Sequence, residues 1–397
     1  MFINVRAVIA ALSISVTAVA LAADCTQTST GRVPLSDLGT GLYLGQFQGG
    51  LYPEGFNFPP PAHRALARSA AVSIQPRRPD GTFGADGRIV MLSIGMSNTT
   101  QEFCSGGGPP CSPGSFIGKA TADADVDHTW LTLIDGAAGG QSAATWDSPT
   151  DSNYNRVRDM ELAPLGLTEA QVQVVWIKLA NPSPTVSLPS ATADAYTLSA
   201  QLAAVARSVA ARYPNCKLAF MSSRTYAGYA STALNPEPYA YESGFSVKWV
   251  IGEQIAQQQG ASPSTLHGPL LAGLNAPILL WGPYLWADGL IPRSDGLIWN
   301  CADLQADGTH PSGLGVSKVS DLLMQFFLES AYSQPWFLAL KSADLNADGV
   351  VDGADLGSLL AAWGLCPSGC AADVNWDGRV DGADLGILIG QWGAVAN

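Results

Sequence analysis

An α/β domain built on a parallel sheet covered on both faces, followed by a small all-α module, is the fold class the sequence predicts. Three observations predict it. Between residues 24 and 335, short runs rich in β-branched residues alternate with longer segments of helical periodicity, the pattern of strands joined by crossover helices. Residues 344–364 (DLNADGVVDGADLGSLLAAWG) and 373–393 (DVNWDGRVDGADLGILIGQWG) form a 21-residue duplication with 14 identical positions. Of the 397 residues, 47% are hydrophobic and 13% charged, a balance that supplies a sizeable core and excludes disorder.

Taken in order, the chain opens with Arg6, an apolar run over 7–21 and an Ala20-Leu21-Ala22 exit, which fits a secretory signal peptide over 1–23. No later stretch reaches the roughly 20 apolar residues of a spanning helix. The mature protein is therefore expected to be soluble and exported, whether secreted, periplasmic or held at the cell surface. Residues 24–85, rich in Gly and Pro and containing Asn57-Phe58-Pro59-Pro60-Pro61, have no strong period and are expected as an irregular extension. Within a domain over 86–335, strands are expected at 88–94, 129–135, 171–178, 216–222 and 277–281. Helices are expected at 115–126, 193–213, 241–259 and 312–332. A short link over 336–340 leads to the module at 341–397.

Seven cysteines in an exported chain imply disulfides with one thiol left over. Cys104 with Cys111 and Cys366 with Cys370 each flank a short loop; Cys216 with Cys301 is the third expectation, leaving Cys25 free. The formal charge of −13 comes without a basic patch, which excludes nucleic acid as a partner.

The duplicated segment carries metal chemistry. Loop positions 1, 3, 5, 9 and 12 hold Asp344, Asn346, Asp348, Asp352 and Asp355 in the first copy, and Asp373, Asn375, Asp377, Asp381 and Asp384 in the second. Gly349 and Gly378 occupy position 6, where the loop turns sharply, and Val350 and Arg379 offer a backbone carbonyl at position 7. This is the oxygen-ligand spacing of an EF-hand loop, so two calcium ions are expected. After each loop, Leu356, Leu359, Leu360 and Trp363, then Leu385, Leu388, Ile389 and Trp392, give each helix an apolar face, and the two faces are expected to pack together. The segment from about 341 to 396 resembles a type I dockerin, whose repeats each begin D-x-N-x-D-G. The resemblance implies a calcium-stabilised module that docks onto a cohesin-like or cell-surface partner. Where that family often places Ser-Thr at loop positions 10 and 11, this chain has Gly353-Ala354 and Gly382-Ala383.

In a parallel sheet, ligands sit beyond the carboxyl ends of the strands. The first expected strand ends in Ser93-Ile94-Gly95-Met96-Ser97-Asn98, placing a serine hydroxyl on the turn that leaves it. Far downstream, Asp307-Gly308-Thr309-His310-Pro311 precedes a helix. A carboxylate three residues ahead of a histidine on a tight turn can hold the imidazole by one hydrogen bond, while Thr309 or Ser312 could cap the helix. Together these resemble the SGNH (GDSL-like) hydrolases. Ser97 matches the block I serine, and Asp307 to Pro311 match the block V pattern D-x-x-H-P. Residues 133–142 look like block II with Gly140 as its oxyanion glycine, and Trp176 to Asn181 like block III with Asn181 as its asparagine. Met96 stands where the family usually has Asp, and Ala180-Asn181-Pro182 replaces Gly-x-Asn-Asp.

The resemblance spans 88–330 and implies a flavodoxin-like three-layer fold and a serine esterase that needs no cofactor for catalysis. Acyl transfer needs a nucleophile, a base, a carboxylate to orient the base and donors for the oxyanion. Ser97, His310 and Asp307 fill the first three roles; the amides of Ser97 and Gly140 and the side chain of Asn181 fill the fourth. The accompanying module implies acyl groups on a polysaccharide as the ester substrate. The alternative is a non-catalytic glycan-binding or surface-attachment protein on a hydrolase-like fold. His63, His128 and His267 lack a matching carboxylate and read as structural. Trp281, Tyr284, Trp286 and Trp299 either line a sugar or acyl cleft or pack in the core.

Overall fold

The computed structural model describes residues 22–104, 108–366 and 370–394; the expected signal peptide, save its last two residues, lies outside them. Five strands form one parallel sheet: β1 (Ile89–Gly95), β2 (Leu131–Ile134), β3 (Val172–Lys178), β4 (Leu218–Ser222) and β5 (Ile278–Trp281), in the order β2-β1-β3-β4-β5. Every residue of β1, β3, β4 and β5 is buried, which is why these runs lack the apolar-polar alternation of a half-exposed strand. The chain leaves β1 toward β2 on one side and returns to β3 on the other. That reversal opens a crevice at the carboxyl ends of β1 and β3, the ligand position of a doubly wound sheet.

The α-helices of seven residues or more before the C-terminal module are α1 (Pro61–Val72), α2 (Ser97–Phe103), α3 (Phe116–Ala122), α4 (Asp194–Arg212), α5 (Tyr239–Gln258) and α6 (Gly313–Glu329). The last four fall on the segments expected to be helical, with α5 starting two residues earlier and α3 and α6 ending earlier. The first corrects the expected irregularity of 24–85. It starts on a proline and buries His63, Ala67 and Ala71, one residue per turn, so its inner stripe is small and carries no strong apolar period. The second lies outside the expected helices as well, because SNTTQEF has no apolar face; polar side chains fix it instead.

The N-terminal segment packs at the carboxyl end of the sheet, where Ala23 N–H donates to Ala306 O (2.6 Å) and Asp24 N–H to Tyr229 O (3.0 Å). Cys25 pairs with Cys301 there, and Cys216 is the free thiol. The expected Cys216–Cys301 pair fails on topology: Cys216 precedes β4 at its amino end, while Cys301 belongs to a loop beyond the carboxyl ends. Cys104–Cys111 and Cys366–Cys370 are bonded as expected. Within the expected link over 336–340, residues 336–338 are buried. Trp336 and Phe337 are buried with Phe116 and Phe327, and Leu338 bridges to Val126.

In the C-terminal module, α7 (Gly353–Ala361) and α8 (Gly382–Gly390) follow the two loops. Val350–Val351 pairs with Gly393–Ala394, and Arg379–Val380 with Gly364–Leu365, so each loop is strapped to the tail of the other repeat. Leu359 and Leu388 are buried with Val351, Val380, Ala343, Cys366 and Ala372, and Leu356 and Leu385 pack against them. Leu360, Trp363, Ile389 and Trp392 are more than half exposed, so only part of each expected face is internal. Arg68 of α1 donates to Asp377 O (2.9 Å) and Trp376 Nε1 to Ala339 O (2.8 Å), joining the second loop to the larger unit.

Polar contacts anchor α2 over the crevice. Thr99 Oγ1 donates to Lys178 O (2.8 Å) at the end of β3, and Lys178 Nζ meets both Glu102 carboxylate oxygens at 2.5 Å with neither side chain exposed beyond 1%. Asp135, just past β2, accepts from Ser93 Oγ of β1 and Thr100 Oγ1 of α2, both at 2.5 Å. Burial pushes the Asp135 carboxyl up to about 6, against the Ser93, Thr100 and Ala137 hydrogen bonds that favour its charged form. A carboxyl whose pKa is higher folded than unfolded adds stability below its unfolded value and loses that contribution as pH rises through the folded one. Relative to Asp135→Asn, the wild-type chain should therefore lose roughly 2–3 kcal/mol between about pH 4 and pH 7. Parallel denaturant melts at the two pH values measure this; a stability gap that does not move with pH would contradict it.

Candidate active site

The site is assembled at the switch point by α2 and the loop before α6. β1 ends in Gly95, where an added Cβ would lie 2.2 Å from Thr99 Oγ1, so the absence of a side chain lets α2 fold back onto the strand end. Ser97 is the first residue of that helix. Its Oγ lies 2.8 Å from His310 Nε2, and His310 Nδ1 lies 2.6 Å from Asp307 Oδ2. Asp307 Oδ1 also accepts the amides of Thr309 (2.9 Å) and His310 (3.0 Å). Gly308 has φ +64°, and a Cβ there would lie 2.0 Å from Tyr229 O, so only glycine lets the loop press this close. Ser312 caps α6 through Leu314 N–H (3.2 Å), while the Thr309 hydroxyl faces Thr232 Oγ1 (2.8 Å). Asn98 Nδ2 donates to Thr309 O (2.9 Å), tying the serine's neighbour to the histidine's.

An Asp307 carboxylate can only accept, so the Nδ1–H form of His310 donates to it and leaves Nε2 free to accept the Ser97 proton. Burial works to raise the Asp307 carboxyl, but the bonds from the His310 ring and from the amides of His310 and Thr309 together hold it below the ordinary carboxylate value. The carboxylate stays charged beside the ring that would gain a proton.

The serine opens on a cleft of about 70 Å³ lined by Met96, Gly140, Asn181, Arg224, Leu234 and Asn235 among others. Within the described residues, the amides of Ser97 and Gly140 donate to nothing, and Gly140 holds φ +76°. Asn181 also reaches the cleft, but one of its N–H groups is taken by Gln201 Oε1 of α4; one donor remains. Asn98, Asp135, Arg224 and Asn235 were not singled out in the sequence. Arg224 follows the carboxyl end of β4, so the strand-end rule that found Ser97 also points to it.

His267 departs from its expected isolation. Its ring lies between Ser199 Oγ (2.8 Å) and Glu253 Oε2 (3.3 Å), a second serine–histidine–carboxylate series. Ser199 is wholly buried, and its hydroxyl proton goes to Ser246 O (3.0 Å), so this series faces no cleft. His63 is held by Gln258 and Leu279 O, and His128 by Asp123 O. Trp281, Tyr284, Trp286 and Trp299 are core residues at 5% exposure or less.

The two loops of the module wind alike. Asp344 accepts the amides of Asp348 (3.1 Å) and Gly349 (2.8 Å), and Asp373 those of Asp377 (3.0 Å) and Gly378 (2.8 Å). Gly349 and Gly378 turn the chain at φ +87° and +81°. Asn346 and Asn375 bond to Asp348 and Asp377, and Asp352 and Asp381 cap the helices through Ala354 and Ala383. Asp355 and Asp384 are wholly buried, each against three loop amides. Among the described residues, no three His, Cys, Asp or Glu side chains are gathered as a metal group. The oxygen-only donors and the glycine turns nevertheless suit a hard cation.

A scan against family models found no match, and neither did a search of curated proteins. Among solved structures, the chain is similar to an extracellular lipase from Streptomyces rimosus (14% identity, 60% of this chain and 99% of that one, TM-score 0.29). It is also similar to a carbohydrate esterase family 2 enzyme with a carbohydrate-binding domain from Corynascus thermopiles (12% identity, 62% and 66%, TM-score 0.31). A third similar structure is phospholipase A1 from Streptomyces albidoflavus (10% identity, 60% and 100%, TM-score 0.28). These neighbours are lipases and esterases; at such identities and scores the likeness assigns this chain neither a family nor an activity.

Proposed function

We propose that the larger unit is an exported serine esterase of the SGNH type, and that the C-terminal module binds two calcium ions and docks the enzyme to a partner. The observation that carries the first part is the unbroken hydrogen-bond series Ser97–His310–Asp307 opening on a cleft. Ser97 Oγ attacks the acyl carbon as its proton passes to His310 Nε2, and the Asp307 carboxylate stabilises the imidazolium. The developing oxyanion meets the amides of Ser97 and Gly140 and the remaining N–H of Asn181. The acyl C–O bond then breaks, His310 returns the proton to the departing alcohol, and water releases the acyl group by the same steps.

The small cleft suits a short acyl group, and the dockerin-like repeats support acylated polysaccharide as its carrier. In the module, Asp344, Asn346, Asp348, Asp355 and the Val350 carbonyl would hold one ion, and Asp373, Asn375, Asp377, Asp384 and the Arg379 carbonyl the other, with Asp352 and Asp381 at position 9. The ions would supply charge compensation for loops dense in carboxylates. Exposed Leu360, Trp363, Ile389 and Trp392 give the module an apolar surface of the kind partners use.

Ser97→Ala should abolish hydrolysis of short p-nitrophenyl esters with the melting profile unchanged, and His310→Ala should be nearly as damaging. Asp307→Asn should cost somewhat less, roughly 10⁴-fold in turnover. More than about a tenth of wild-type activity in the serine variant would refute the nucleophile, since such losses run to many orders of magnitude. Calorimetric titration of the full chain with calcium should give a stoichiometry near two, reduced to none by Asp344→Ala with Asp373→Ala, while the esterase rate persists in chelator. Heatless titration, or a rate that vanishes with calcium, would reject this division of roles.

A further inference from the structure

The chain places a charged group in the wall of the proposed esterase cleft. Arg224 lies past the carboxyl end of β4, is 1% exposed, and lines the same cleft as Ser97. Its Nε and Nη2 have no hydrogen-bond partner. A buried guanidinium is normally paired, because removing its hydration without replacing it is costly.

The neighbouring carboxylates are already engaged. Glu102, Glu237 and Asp307 are the acids near enough to act on Arg224 electrostatically. Glu102 is held by Lys178 Nζ through both oxygens. Glu237 accepts from Trp286 Nε1 (2.8 Å), Ala227 N–H (3.1 Å) and Tyr241 N–H (3.3 Å). Asp307 is held by His310. The wall of the cleft thus keeps one positive charge with no hydrogen-bonded acid.

We propose that Arg224 is a specificity-determining residue that receives a carboxylate borne by the ester substrate. The inference rests on the esterase reading of Ser97, and it adds that the preferred esters are anionic. A planar guanidinium fits a carboxylate through paired N–H donors, and in this water-poor setting the pairing favours a charged ester over a neutral one of equal size. The carboxylate could sit on the acyl side, as in a dicarboxylic hemiester, or on the alcohol side, as in a sugar acid; both offer Arg224 the same group.

Binding and turnover test it separately. The full chain carrying Ser97→Ala is titrated calorimetrically with monomethyl succinate and dimethyl succinate, and with an acetylated methyl glucuronoside and its acetylated methyl glucoside. In at least one pair the anion should bind about tenfold or more tightly than its neutral counterpart, Arg224→Met should erase the difference, and Arg224→Lys, which keeps the charge, should retain part of it. Equal affinities within both pairs would overturn the assignment whatever the enzyme turns over. On the chain with Ser97 intact, kcat/KM is compared for p-nitrophenyl hemisuccinate against p-nitrophenyl butyrate, and for an acetylated methyl glucuronoside against its acetylated methyl glucoside. A ratio above about ten in one pair, collapsing to about one in Arg224→Met, supports the proposal and names the side that bears the carboxylate. Ratios near one in both pairs overturn it while leaving the esterase reading standing. If no ester is turned over, the esterase reading fails, and the calorimetric difference still decides whether Arg224 holds a carboxylate.

Discussion

A parallel sheet buried on both faces constrains everything else in the larger unit. β1, β3, β4 and β5 expose no residue, so polar chemistry has no place along the strands and gathers where they end. Ser97, Asn181 and Arg224 follow three neighbouring strands at that edge, and His310 reaches it from a loop held by Asn98 and pressed against Tyr229. The polar groups that hold α2 in place, Asp135, Lys178 and Glu102, are the ones the sheet must accommodate in its interior. Each is compensated by a specific neighbour. Arg224 stands out because its guanidinium has unbonded nitrogens.

What the sequence made legible follows the same constraint. β1, β3, β4 and β5 could be read because continuous burial leaves continuous apolar runs, and α4, α5 and α6 because they are long enough to show a period. Two of the longer helices carry no such signal, for opposite reasons. The inner stripe of α1 is made of His63, Ala67 and Ala71, too small to register as apolar, and α2 is held by Thr99, Thr100 and Glu102 through side-chain bonds whose partners are far along the chain. The Cys25–Cys301 pairing was equally hidden, since it joins residues 276 positions apart whose nearness depends on the N-terminal segment packing over the carboxyl edge. Ser97, Asp307 and His310 could be named from local spacing and a family likeness. Arg224 and Asn98 could not, because their roles lie in which partners they have or lack.

The two serine–histidine–carboxylate series show why residue types alone do not define a site. Ser199, His267 and Glu253 repeat the chemistry of Ser97, His310 and Asp307 inside the packing of α4 against α5. What separates them is access and the direction of one proton. Ser97 has a cleft and a histidine nitrogen ready to accept, whereas Ser199 has no exposure and spends its proton on Ser246 O. Burial turns a would-be catalytic set into a structural clamp.

In the C-terminal module, each loop's short strand pairs with the tail that follows the other repeat's helix. One repeat alone would leave both its strand and its tail unpaired, yet two identical copies could satisfy each other across a twofold axis. The tandem arrangement is then a dimer written into one chain, with the 14 shared positions serving symmetry as much as cation binding. Neither half is a smaller version of the whole, so loss of one repeat removes the partner of the other rather than half of the module.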